Sequence, residues 1–153
     1  MNPYNYKRPA GVTAGGNKAV DDLSLNAQTN GQTAQKAKSD AYLEQKVMNA
    51  RPEELTLMLY DGLVKFIKQA ILFNEQKAFD KSSNSNLRAQ AVLQELRSSL
   101  NMDIELSANL EDLYLFMIQH LVDANIEKSN EKLEEVLTLA TDFRDTWKEA
   151  MGL

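Results

Sequence analysis

The sequence predicts an all-α protein, an antiparallel up-and-down four-helix bundle with a short extra N-terminal helix. Three observations carry that prediction. Neither Gly nor Pro occurs from Leu63 to Met151, a span that a β-rich chain would punctuate with turn residues. Within residues 52–151, apolar residues recur at three- and four-residue spacing, the period of a helix with one oily face. The interruptions are brief clusters of small polar residues, and short connections make neighbouring helices antiparallel.

Residues 1–38 hold four of the six Gly and two of the three Pro, set among Asn, Gln, Thr and Ala. Such a segment buries too little apolar surface to offset its ordering entropy, so it reads as a disordered polar tail ahead of a 39–153 bundle. A short first helix is expected from about Asp40 to Asn49. Pro52 then suits a first helical position, with Glu53 and Glu54 near the positive helix end, and this second helix runs to about Lys77. Asp80 is the expected cap of a third helix ending near Asn101, with Ser82–Asn86 weakening its first turns. Ser107 is the expected cap of a fourth helix reaching about Glu127. Ser129 caps a fifth that runs to about Ala150, and Gly152 marks its stop.

Composition narrows the function. With no Cys, the chain needs no disulfide and fits a reducing compartment. Met1–Lys18 lacks the apolar core of a cleavable signal, and the longest oily run, Leu113–Val122, is too short to span a bilayer. A soluble, cytoplasmic protein without membrane insertion is therefore expected. Formal net charge is −5, and the acidic body repels phosphate backbones, so no nucleic acid is expected as partner. Catalysis has little to stand on. The sole His, His120, is preceded three positions earlier by Met117 rather than the Glu that a di-metal carboxylate bundle requires. There is no thiol nucleophile, no convincing triad and no phosphate-binding glycine loop. No catalytic residue, metal or cofactor is assigned.

The candidate site lies in excess apolar surface. On the third helix, Ala89, Val92, Leu93, Leu96, Leu100 and Ile104 form an ordinary core stripe, as do Leu133, Val136, Leu137, Ala140, Phe143, Trp147 and Met151 on the fifth. The second helix carries two stripes. Leu55, Leu59, Leu63, Phe66, Ala70 and Phe73 make one; Leu57, Tyr60, Val64, Ile67 and Ile71 lie beside it, and together they sweep about 200°. The fourth helix does likewise, with Leu110, Leu113, Tyr114, Met117 and Leu121 in the core stripe and Leu115, Ile118, Val122 and Ile126 alongside. The short first helix, a second copy of the chain, or another protein could cover the excess. A self-associating homodimer without a client is the structural alternative.

Ala50–Gly62 reads A-x-P-E-E-L-x-L-M-L-Y-D-G, followed by S-L-N-M-D-I-E-L-S-A-N-L from Ser99, L-V-D-A-N from Leu121 and F-R-D-T-W-K-E-A from Phe143. In that order, with Tyr42 ten positions before Pro52, these motifs resemble the flagellar secretion chaperone family FliS across about residues 41–151. The resemblance implies a chaperone that holds the disordered C-terminal segment of newly made flagellin as helices in hydrophobic grooves, preventing premature polymerisation. The flagellar export gate and a flagellin regulator are further candidate partners. On that footing the partner-binding candidates are Tyr42, Leu57, Tyr60, Val64, Ile67, Leu115, Ile118, Val122 and Ile126.

Two departures from the family pattern stand out. Arg51 replaces the Ser or Thr usual before the Pro, which removes a side-chain N-cap. The family's N-P-Y and A-Y elements, here Asn2-Pro3-Tyr4 and Ala41-Tyr42, are separated by a long polar insert. Tyr4 and Tyr42 are the candidates for a segment that plugs the empty groove, and the long tether implies weak plugging by Tyr4.

Overall fold

The computed structural model describes residues 2–4 and 33–153, which hold five helices and no strand. These are α1 (Thr33–Asn49), α2 (Pro52–Glu75), α3 (Phe79–Ser98), α4 (Glu105–Glu127) and α5 (Asn130–Met151). The expected disorder of residues 1–38 falls, for residue 1 and residues 5–32, outside the described residues. Helix α1 begins seven residues before Asp40. Ala, Gln and Lys favour helix without leaving an apolar stripe, so periodicity misses this turn.

The other boundaries show which local signals decide helix ends. At the start of α2, Arg51 is extended and supplies no side-chain cap. Glu54 replaces it from the other direction, accepting from the Arg51 backbone N–H and from its Nε–H, each at 3.1 Å. Asp80 does not cap α3: Ala78 occupies that position, and Asp80 lies in the first turn. Ser107 does not cap α4 either, because Ile104 stands there and the helix is already under way. Ser129 does cap α5, its Oγ accepting from Lys132 N–H at 3.3 Å. Gly152 ends that helix at φ +67°, a left-handed conformation that suits glycine.

Helices α2 and α4 sit diagonally, each between α3 and α5, so the four close a ring of neighbours. Helix α1 stands outside the ring and reaches the core through Leu43. Inside lie Leu59, Leu63 and Phe66 from α2, Val92, Leu93 and Leu96 from α3, Met117 and Leu121 from α4, and Leu133 and Val136 from α5. The polar start of α3 is not weak padding. Ser82 Oγ–H donates to the Ala70 carbonyl at 2.8 Å and Asn86 Nδ2–H to the Leu121 carbonyl at 2.9 Å, so buried polar groups tie α3 to α2 and α4. Among the described residues no helix is long and apolar enough to cross a membrane.

Candidate functional site

The second stripe of α2 faces its neighbour rather than solvent. Tyr60, Val64 and Ile67 are buried, and the Tyr60 ring stacks on Phe143 of α5 at 6.0 Å. Leu57 is half-buried against the core. Tyr60, Val64 and Ile67, expected at the open surface, are thus covered, and Leu57 partly so: a helix flanked on two sides in a ring needs a wider apolar arc than a helix lying on one surface. The fourth helix behaves differently. Leu115 and Ile126 remain 43% and 76% exposed, while Ile118 and Val122 beside them are half-buried. Leu113, placed by the wheel in the core, is 39% exposed.

The row Leu115, Ile118, Val122 and Ile126 borders α3. On that side Asn125 Nδ2–H donates to Ser83 Oγ at 3.1 Å and Arg97 pairs with Glu111 at 3.0 Å. Leu87 of α3 is also exposed, and its helical position lies beside this polar seam. A hollow of about 250 Å³, lined in part by Phe79, Ser82, Asn86 and Ile126, lies where α3 begins and α4 ends. Lys128 Nζ sits 4.5 Å from the centroid of the Phe79 ring there.

A second constellation closes the opposite end of the ring. Tyr4 is buried, its hydroxyl hydrogen-bonded to those of Tyr60 and Tyr114, and the Tyr60 and Tyr114 hydroxyls meet at 2.6 Å. Each hydroxyl can donate one bond and accept another, so the three form a closed cycle in a place with little water. Desolvation pushes all three hydroxyls above the ordinary tyrosine range. Trp147 meets the Tyr4 ring edge to face at 5.1 Å, and its Nε1–H donates to the Glu53 carbonyl at 2.9 Å.

Backbone groups fix the same segment. The Asn101 N–H donates to the Pro3 carbonyl at 2.7 Å, Ser107 Oγ–H reaches it at 3.4 Å, and Tyr4 forms an isolated antiparallel bridge with Leu100. Asn2 Oδ1 accepts from the Tyr4 N–H at 2.8 Å, a local turn that aims the ring inward. Ser107, expected as a helix cap, thus helps to hold Pro3. Its sequence context could not show this, because the partner lies 104 positions away. The two plug candidates part company: Tyr4 is seated, whereas Tyr42 is 68% exposed, and Leu43 makes the α1 contact with the core.

The family model for the flagellar protein FliS matches residues 33–153. The chain belongs to the FliS family. It is 43% identical over 111 residues to a flagellar secretion chaperone FliS of Bacillus subtilis, covering 72% of this chain and 84% of that protein. A flagellar secretion chaperone FliS of Escherichia coli is 32% identical over 71% of this chain and 82% of its own length. One from Salmonella typhimurium is 31% identical over 74% of this chain and 87% of its own. The family match begins at Thr33, the first residue of α1.

Proposed function

We propose that this chain is a cytoplasmic export chaperone, without enzymatic activity, that holds the disordered C-terminal segment of newly made flagellin. Its scaffold is an antiparallel up-and-down bundle, and its client surface is the α3-side face of α4. The supporting observation is the row Leu115, Ile118, Val122 and Ile126, whose outer members stay exposed while Tyr60, Val64 and Ile67 of the matching row of α2 are buried. Successive members are three or four positions apart, so the row is a continuous ridge about 16 Å long on which an amphipathic client helix can lie. Family membership and the secretion-chaperone names of the relatives support a flagellar export client, which this reading takes to be flagellin. The client C-terminus and the Asn2–Tyr4 segment compete, in this reading, for the apolar end of the ring around Tyr60 and Tyr114. Sequestration suffices for the task, and no nucleotide is consumed.

Light scattering of the chain with and without flagellin tests this reading. A monomer that forms a one-to-one complex is expected. A stable homodimer that ignores flagellin would sink it.

A further inference from the structure

Helix α4 has a second apolar flank, facing away from the proposed client row, at its seam with α5. Leu113 and Phe116 are exposed there, with Leu106 further toward the start of α4. The exposed Phe116 ring is held rather than loose: it stacks on the His120 ring at 5.2 Å with 20° between planes, and His120 Nε2–H donates to Glu135 Oε2 of α5 at 2.6 Å. An aromatic side chain fixed before it meets a partner loses little freedom on docking, which is the property of an interface anchor. Leu139 of α5 continues the apolar strip into the core.

Charge decides what can lie on this strip. Residues 105–153 carry eleven Asp and Glu against four Lys and Arg, whereas residues 33–98 carry eight against ten. On α4, Glu105, Asp112, Asp123 and Glu127 fall within about 60° of one another, along the solvent edge of the Phe116 flank. On α5, Glu131, Glu135, Asp142 and Glu149 fall within about 40°, on the edge facing α4. Two carboxylate rails therefore border one apolar seam; within them Glu127 pairs with Lys132 and Glu135 with His120, as Glu111 pairs with Arg97 on the other flank of α4.

We propose that the α4–α5 seam is a second docking surface, for a cationic amphipathic helix of a partner protein, with apolar residues three and four apart and Lys or Arg on both borders. A symmetric pairing of this seam with that of a second copy is disfavoured because it would set acidic rails against each other. Nucleic acid and anionic membrane are repelled for the same reason. The surface is separate from the proposed client row, so an α4 helix could be engaged on both flanks at once.

The probe is a synthetic amphipathic helix of about 18 residues with Leu at i, i+3, i+4 and i+7 between Lys borders, followed by fluorescence anisotropy with the full chain. The wild type is expected to bind it, to ignore the same helix with Glu in place of Lys, and to lose affinity as salt rises. Phe116→Glu should weaken binding at least tenfold with an unchanged melting temperature. Asp112→Lys with Asp142→Lys should do the same and flatten the salt dependence. Absence of binding at about 1 mM, equal binding of the acidic helix, undiminished binding by both variants, or Phe116-dependent self-association in place of peptide binding would each overturn the proposal.

Discussion

Helices α2 and α4 both carry wide apolar arcs, yet the fold covers one and leaves the margins of the other open. On α2, both stripes are consumed, one by α3 and the core, the other by α5 through the Tyr60–Phe143 stack. On α4 the middle of the arc, Tyr114, Met117 and Leu121, is fully buried. Its margins, Leu115 and Ile126 on one side and Leu113 and Phe116 on the other, stay exposed. The width of an apolar arc therefore does not distinguish a bundle interface from a docking surface. What separates them is whether a neighbouring helix supplies large side chains at the margin. Phe143 and Trp147 of α5 do this for α2. The carboxylates along the α5 edge cannot do it for α4.

The sharpest way to break this contrast is one substitution on each helix. Ile67→Asp puts a carboxylate into a site with no exposure and should cost about 4 kcal/mol or more of stability. Ile126→Asp, on the exposed margin of α4, should change stability by less than about 0.5 kcal/mol. Urea denaturation followed by circular dichroism measures both. Comparable losses would mean that α4 is covered as α2 is.

A smaller effect is expected at the tyrosine cycle, where α2, α4 and the N-terminal segment meet. Tyr60→Phe removes one hydroxyl and leaves two buried partners short, a cost of about 1–3 kcal/mol. The cycle also sets an alkaline limit. Since folding raises the pKa of these hydroxyls, their contribution is complete below the unfolded value near 10 and is lost as pH climbs toward the folded values. Wild-type stability should fall above about pH 10, and Tyr60→Phe should fall less steeply from its lower start. Parallel alkaline melting curves would show that the cycle does not carry this dependence.

The smallest effect lies at the α2 terminus. Hydrogen bonds from Arg51, its backbone N–H first, hold the Glu54 carboxyl below the ordinary value. The contribution is thus present above the unfolded carboxylate pKa and lost as pH falls through the folded one. Glu54→Gln should lower the melting temperature slightly at neutral pH, with the difference vanishing in acid. A difference that persists in acid would assign the effect to the amide rather than to the charge.

Much of this was legible in the sequence because local rules govern it. Pro52, Ser129 and Gly152 mark helix ends through their own local chemistry, and the α5 stripe and the Ala89–Leu96 part of the α3 stripe lie where periodicity puts them, whereas Leu100 falls beyond the end of α3 and Ile104 stands at the start of α4. The role of Ser107 was not legible, and Tyr4 could be named as a plug only from the family resemblance, without its partners. Both depend on partners more than a hundred positions distant, and no pattern within one helix encodes them. Nor could a helical wheel reveal which margin of an arc a neighbouring helix would cover. Tyr60, Val64 and Ile67 satisfied the period as well as Leu115, Ile118, Val122 and Ile126 did.

The outward face of α4, rather than that of α2, is the client surface in this account. Isothermal titration of a flagellin C-terminal peptide into the wild type and into the Leu115→Asp, Ile126→Asp double variant tests that directly. A fall in affinity of at least tenfold is expected, with an unchanged circular dichroism spectrum and melting temperature. Wild-type affinity in the folded double variant would contradict it.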